Sequence, residues 1–329
     1  MISVKRLAVA VFSIVCTCLG IPAVLAATQS YPTQPVHVIV AWPAGGLVDI
    51  CARVVGQELE KSLKQRVIVE DQAGAGGIIA ANAVAKATPD GYTVLATTSA
   101  LDMNAALRPH LFQFDIHNGL EPIVVAATTP SVLVATPTLP VHSVKELIAY
   151  AKAHPGRTTF GSAGVGTPAH FAGVEFERAT GIESVHVPFK GAPPLMNAQI
   201  AGEITFHFAN YTVALPQIKA GTVRALAITS ATRSKDLPNV PTMEEAGVPH
   251  FVVNQWVGYF APRGTPKSVI DTLAHAINRA LASPHVQKLL EKSGMTPMGT
   301  SNPDKFAQFL QTDLDHYKKL IKAAHISVE

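Results

Sequence analysis

From Tyr31 onward, short runs rich in valine and isoleucine alternate with amphipathic stretches, and this alternation constrains the fold more than any other feature of the chain. Residues 36–40 (Val-His-Val-Ile-Val) read as a strand, followed by a Pro/Gly turn and a helix over 48–63. Residues 66–69 predict the next strand, Gly74-Ala75-Gly76-Gly77 a turn, and 78–87 a helix of small residues. Pro89-Asp90-Gly91 is a turn before a strand over 92–97. Near-continuous apolar strands separated by helices imply parallel sheets covered on both faces. The fold class is therefore α/β.

Two further short strands are expected at 123–126 and 132–135, separated by Thr128-Thr129-Pro130. Ser143-Val144-Lys145-Glu146 is a capping box, in which the serine accepts from one free amide and the glutamate reaches back to another. A second α/β series follows, with strands at 159–161, 185–187, 204–208 and 224–228. At the C-terminus Phe306, Leu310, Leu314, Tyr317 and Ile321 step by three or four residues, the apolar stripe of a helix. Two α/β series predict two lobes with a cleft between them, and a strand over 256–261 returns the chain to the first lobe. The expected division is residues 27–127 plus 251–329 for lobe one and 128–250 for lobe two. No short fixed period recurs, which excludes solenoids and propellers.

The first 26 residues have the order of a secretory signal peptide. Lys5 and Arg6 are the basic start, 7–19 the apolar run, and Ala23-Val24-Leu25-Ala26-Ala27 the small residues for cleavage. That run is too short for a confident membrane span. Cys16 and Cys18 leave with the leader, so Cys51 is alone and has no partner for an internal disulfide. Stability must then come from a core, which about 300 residues readily provide. A hydrophobic content of 48% against 15% charged residues fits a well-packed globular protein. The net charge of +3 falls to +1 without Lys5 and Arg6, and no basic cluster exceeds two adjacent residues. Nucleic acid is therefore not an expected partner.

Loops at strand-to-helix junctions carry the chemistry. In Trp42-Pro43-Ala44-Gly45-Gly46-Leu47-Val48-Asp49, the glycines permit positive φ and leave amides open toward the gap. A helix N-terminus adds partial positive charge, so such a loop holds a carboxylate without an arginine. A tight turn with no ligand explains the same two glycines equally well. A second loop, 160–170, offers the hydroxyls of Ser162 and Thr167 and enters a helix at Pro168. Gly164-Val165-Gly166-Thr167-Pro168-Ala169 formally matches the dinucleotide pattern, with Glu183 downstream, but an exported chain does not meet soluble nicotinamide cofactors, and none is expected. Thr97-Thr98-Ser99 ends another strand of lobe one.

Catalytic arrangements are poor. There is no G-x-S-x-G and no H-E-x-x-H, and the 13 histidines show no paired spacing suited to a metal. Cys51 sits among apolar neighbours and reads as packing. His170 is either a ligand contact or a packing and capping residue. Asp49 either orients a ligand or satisfies first-turn amides.

Taken in order, these stretches resemble the substrate-binding component of the tripartite tricarboxylate transporters, the Bug receptors. The resemblance is carried by Pro43-Ala44-Gly45-Gly46…Asp49…Ala52-Arg53, Gly74-Ala75-Gly76-Gly77, Pro89-Asp90-Gly91-Tyr92-Thr93, Val187-Pro188-Phe189-Lys190-Gly191 and Val240-Pro241-Thr242-Met243-Glu244-Glu245-Ala246-Gly247, and covers nearly all of the mature chain. It implies a type II periplasmic-binding-protein fold: two α/β lobes, a ligand cleft and two crossing segments. It also implies a periplasmic monomer that hands a small carboxylate to membrane permease subunits, with no cofactor, metal or catalytic residue. Carried onto this chain, the implied binding positions are Ala44, Gly45, Gly46 and Asp49; Thr98 and Ser99; Ser162, Ala163, Gly166, Thr167 and His170; and Lys190 and Asn210.

Two departures stand out. Leu47-Val48 replaces the small hydroxyl residues common in the family, and Phe208-Ala209-Asn210 has alanine where an acid is usual. The first means fewer donors and a less polar or differently placed ligand. The second leaves a cationic amine no partner, so the expected ligand is a mono- or dicarboxylate without an amino group, aromatic if Trp42 and Phe208 face it. A sensor subunit with the same ligand, or an exported hydrolase using the same cleft, are the alternative functions.

Overall fold

The computed structural model describes residues 31–115, 118–251, 253–298 and 302–323. The expected leader, with Cys16 and Cys18, lies outside the described residues. The first α/β series comprises β1 (Val36–Val40), α1 (Leu47–Leu63), β2 (Val67–Asp71), a 3-10 turn at Ala75–Gly77, α2 (Ile78–Ala85), β3 (Thr93–Thr98) and α3 (Ala100–Leu107). β4 (Leu120–Ala135) leads into the second series: α4 (Val144–Ala153), β5 (Thr159–Ser162), α5 (Pro168–Thr180), β6 (Val185–Pro188), α6 (Ala192–Ala201), β7 (Phe206–Asn210), α7 (Tyr211–Lys219) and β8 (Arg224–Ile228). The chain closes with β9 (Asn254–Pro262), α8 (Lys267–Ala282), α9 (Pro284–Lys292), β10 (Thr296–Pro297) and α10 (Pro303–Ala323).

In the first sheet β1 runs parallel to both β2 and β3, whereas β9 lies antiparallel to β3 and to β4. In the second, β5 is parallel to β6 and β7, and β7 and β8 pair antiparallel with β4. The expectation of purely parallel sheets is thus corrected: each is mixed, because the crossing strands run against the βαβ series. The expected pair of strands around Thr128-Thr129-Pro130 is also one strand. β4 is 16 residues long, pairing with β9 up to Pro130 and with β7 from Ser131 onward. Proline lacks only the amide donor, and Pro130 sits where β4 leaves one sheet for the other, so the missing hydrogen bond breaks no central ladder. β9 returns beside it, and these two strands are the crossing segments of a type II periplasmic-binding-protein fold.

Both faces of both sheets are covered. α1 shows why a helix forms and docks there: Leu47, Val48, Cys51, Ala52, Val55, Leu59 and Leu63 are buried and fall on one stripe, while Lys64 closes the helix at φ 53°. That stripe packs with α8 and α9 on Val36, Val38 and Val40 of β1. Burying Val55 or Leu59 contributes roughly 1.5–3 kcal/mol each; a charge at Val55, which is fully buried, would undo the docking. α2, α3 and α10 cover the other face around Trp256, Phe260 and Phe306. The predicted C-terminal stripe is present in α10, where Phe306, Leu314 and Tyr317 are buried. α4 and α5 cover one face of the second sheet, and α6 and α7 the other. The capping box forms: Glu146 N–H donates to Ser143 Oγ (3.2 Å), and the Glu146 carboxylate accepts from His142 N–H (2.6 Å).

Candidate functional site

Strand carboxyl ends in both sheets open onto a shared, narrow cavity. This is where open α/β folds place their ligands. The loop from β1 to α1 contributes Trp42, Pro43, Gly46, Leu47 and Val48, and the end of β3 contributes Thr98. From the second sheet come Ala163, Thr167, Pro168 and Ala169 between β5 and α5, Ala192 and Pro193 at the start of α6, and Asn210 at the end of β7. Gln255, on the crossing strand β9, completes the wall.

Five helices therefore begin at or beside one cavity. Their N-cap residues are Gly46, Ser99, Thr167, Gly191 and Asn210, and none accepts a side-chain capping bond. First-turn amides have no acceptor within a helix, so they are left to whatever fills the space before them. The ends differ in use. α6 places Pro193 and Pro194 in its first turn, where there is no N–H to donate, and so builds apolar wall. α1 has no proline in its first turn, and α5 has one only at Pro168, leaving the Ala169 and His170 amides. No charged side chain lines the cavity among the described residues. Its polar side-chain groups are those of Thr98, Thr167, Asn210 and Gln255 and the buried indole N–H of Trp42, which has no partner; the other lining side chains are apolar.

Of the residues expected at the site, Gly46, Thr98, Ala163, Thr167 and Asn210 line the cavity. Ala44 and Gly45 are exposed on the outer turn of the loop. The Asp49 carboxylate is turned beneath that loop, accepting Gly45 N–H through Oδ2 at 2.7 Å and meeting Arg53 Nε through Oδ1 at 2.5 Å. Arg53 also reaches Asp71 at 2.7 Å. Ser99 is fully buried at the start of α3.

Ser162 is fully buried, and its hydroxyl serves its own loop. It accepts Gly164 N–H at 3.1 Å and lies 3.0 Å from Gly164 O and 2.7 Å from His186 Nε2. His186 stacks on His170 with ring centres 4.2 Å apart, and on Phe160 at 4.8 Å. Burial pushes His170 down to about 3, helped by His186 and by the Arg108 charge, and burial alone pushes His186 down to about 4. Both rings are thus neutral near pH 7. His170 Nδ1 accepts Gly166 N–H at 3.4 Å, which makes it a support for the loop. Lys190 is exposed and outside the cavity lining.

The argument for an aromatic ligand loses one of its two residues. Phe208 lies in the core between Phe176 and Phe251, and Ala209 packs into the cluster beneath α6 and α7. Trp42 does line the cavity. Sequence reasoning missed Gln255, Ala192 and Pro193. Gln255 is buried and donates to Ser131 Oγ at 2.8 Å, joining the two crossing strands beside the cavity. Its only sequence signal was a place just before a strand already recognised. Cys51 is packing, as expected: it is fully buried on α1 and its thiol is pushed up to about 12.

Comparison with known proteins agrees with this geometry. The family model described as the tripartite tricarboxylate transporter family receptor matches residues 51–326. The chain belongs to that family. It is 36% identical over 315 residues to BugT of Bordetella pertussis, covering 95% of this chain and 96% of BugT. Among solved structures, the periplasmic binding protein BugD superposes with a TM-score of 0.86 at 31% identity, covering 91% of this chain and 100% of BugD. MatC of Rhodopseudomonas palustris, solved with malate, gives 0.83 at 30% identity over 88% of this chain and 100% of its own. The R. palustris protein Rpa4515, solved with adipate, gives 0.86 at 30% over 90% and 99%. The chain is thus a receptor of that family, with the fold of the periplasmic binding protein BugD.

Proposed function

We propose that this receptor closes its two lobes on one small organic acid in the periplasm and delivers it to the membrane permease of a tripartite tricarboxylate transporter. The observation that carries the reading is the convergence of uncapped helix N-termini on one cavity free of charged side chains. Such a cavity favours an anion, because each helix end contributes partial positive charge worth roughly 0.3–2 kcal/mol. It disfavours a cation, which would find no carboxylate. The first-turn amides of α1 and α5 hold the acid group, with Thr98, Asn210 and Gln255 as side-chain partners, while the Thr167 hydroxyl donates to Gly164 O at 2.7 Å and holds its own loop. Asp49, Ser162 and His170 act from behind, keeping the loops in shape. The malate and adipate on MatC and Rpa4515 support the ligand class. Delivery to a permease rests on family membership.

The test is a thermal-shift screen of the mature protein against aliphatic, aromatic and amino acids, with recovery of the compound by mass spectrometry. A ligand at about 100 times its dissociation constant stabilises by roughly 2.7 kcal/mol. A shift with one class of carboxylate, the compound recovered unchanged, supports the receptor. A compound recovered altered would replace it with an enzyme.

A further inference from the structure

We propose that Asn104 and Arg108, which lie outside the cavity lining, are the positioning residues of lobe closure and set the affinity for whatever acid the cleft takes. Both belong to the first sheet's side: Asn104 lies in α3, and Arg108 follows its last turn. Their partners belong to the second sheet's side, in the loop between β5 and α5. Asn104 Nδ2 donates to Gly166 O at 3.1 Å, and Arg108 donates to Val165 O at 2.8 Å. The two are tied to each other, since Arg108 Nε donates to Asn104 Oδ1 at 3.2 Å and its terminal nitrogen donates to the same atom. The two hydrogens of Asn104 Nδ2 are shared among Gly166 O, Ala100 O (2.9 Å) and Gly76 O (3.1 Å). Asn104 is fully buried, and burial lowers the basicity of Arg108, so this contact is desolvated and not a surface pairing.

The consequence for the cleft follows from peptide geometry. In a trans peptide the C=O and the next N–H point in opposite directions. Pinning the carbonyls of Val165 and Gly166 toward α3 therefore turns the N–H groups of Gly166 and Thr167 away from it, toward His170 Nδ1 and Gly164 O respectively. The loop that opens α5 is thereby held in one orientation, with Thr167, Pro168 and Ala169 on the cavity wall. Beside these bonds, Phe171 of α5 packs with Met103 of α3 and Tyr317 of α10, all buried. The halves of the molecule are joined covalently only through the crossing strands, so rotation about those strands breaks the Asn104 and Arg108 bonds and frees the loop. A contact present only in the shut state shifts the open–closed balance, and the apparent affinity moves with the shut fraction.

This inference rests on closure around an acid. The test titrates wild type, Arg108→Ala, Arg108→Lys and Asn104→Ala with malate, adipate and benzoate, following small-angle scattering and dissociation rate. Arg108→Ala is expected to weaken binding about tenfold, mainly through faster dissociation, with the melting temperature of the free protein unchanged and partial recovery in Arg108→Lys. Asn104→Ala leaves buried carbonyls unpaired and is expected to lower stability, so Arg108, which is less buried, is the deciding site. Wild-type affinity and dissociation rate in Arg108→Ala overturn the proposal, as does weakening that only tracks a lower melting temperature. If wild type binds none of the three acids, that counts against the receptor reading. The latch is then judged on the free protein: a more expanded Arg108→Ala supports it, and identical scattering overturns it.

Discussion

Asp49 accepts the amide of Gly45, four residues earlier, at 2.7 Å while its other oxygen faces Arg53 at 2.5 Å. The acid of this motif braces the loop whose Gly46 lines the cavity. Asp49 is the third residue of α1, and a side chain there that accepts an amide before the helix is half of a capping box. Asp49→Asn keeps an acceptor for Gly45 and should cost little affinity. Asp49→Ala should cost about 0.5–2 kcal/mol of stability, the range for losing a helix-start acceptor, and weaken carboxylate binding at least tenfold. Calorimetric titration of both variants checks this, and equal losses in the two would show that charge, not the bond to Gly45, matters.

Gly166→Ala should be more damaging than any substitution on the cavity wall. Gly166 has φ +79°, a region that L residues enter at a cost of roughly 1–2 kcal/mol. An added Cβ would also overlap the Asn104 carboxamide. The expected result is a folded protein that no longer closes on its ligand. Adding Asn104→Ala removes the overlap but leaves the φ penalty and deletes the Asn104–Gly166 bond, so the double variant should regain part of the affinity at most and stay below Asn104→Ala alone.

Acid should destabilise the protein through buried histidines. His207 is fully buried, is bonded to Gln199 Oε1 at 2.8 Å, and is pushed down to about 3 by burial, as His170 is. With the folded value below the unfolded 6.5, the stabilisation is complete above pH 6.5. It is lost as pH falls toward 3, because only the unfolded chain takes up the proton. At pH 5 each histidine accounts for about 2 kcal/mol, from 1.5 units at 1.36 kcal/mol per unit. Asp102 and Asp313 work the other way: burial and their mutual repulsion raise Asp102, burial raises Asp313, and protonation relieves both. Urea unfolding at pH 7 and pH 5 should show a smaller loss in His207→Gln than in wild type. Identical losses would remove His207 from the account.

Amino acids should bind less well than their amine-free analogues. Among the described residues no carboxylate lines the cavity, so an ammonium group would be stripped of water with no partner. Succinate is expected to bind at least tenfold more tightly than aspartate, from which it differs only by the amine. Parity between the two would sink this expectation and point to a carboxylate reaching the ligand from outside the present lining.

The sequence by itself determined the α/β class, the order of most strands and helices though not the unbroken length of β4, the capping box at Ser143 and the apolar stripe of α10, because each depends on residues within a few positions of one another. It also named the two loops whose residues meet in the cavity, since glycines and small hydroxyls at strand ends mark where backbone amides are left open. Only the tertiary structure decided what each polar group in those loops does. Ser162, Thr167 and Asp49 have the same hydrogen-bonding capacity whether they face a ligand or their own backbone, and a hydrogen bond is of similar strength either way. The choice is made by the rotation of neighbouring peptides and the packing behind them. Gln255 and Asn104 lay beyond reach for the same reason. Their roles exist only where β9 crosses beside β4, and where α3 meets a loop that begins about sixty residues later in the chain.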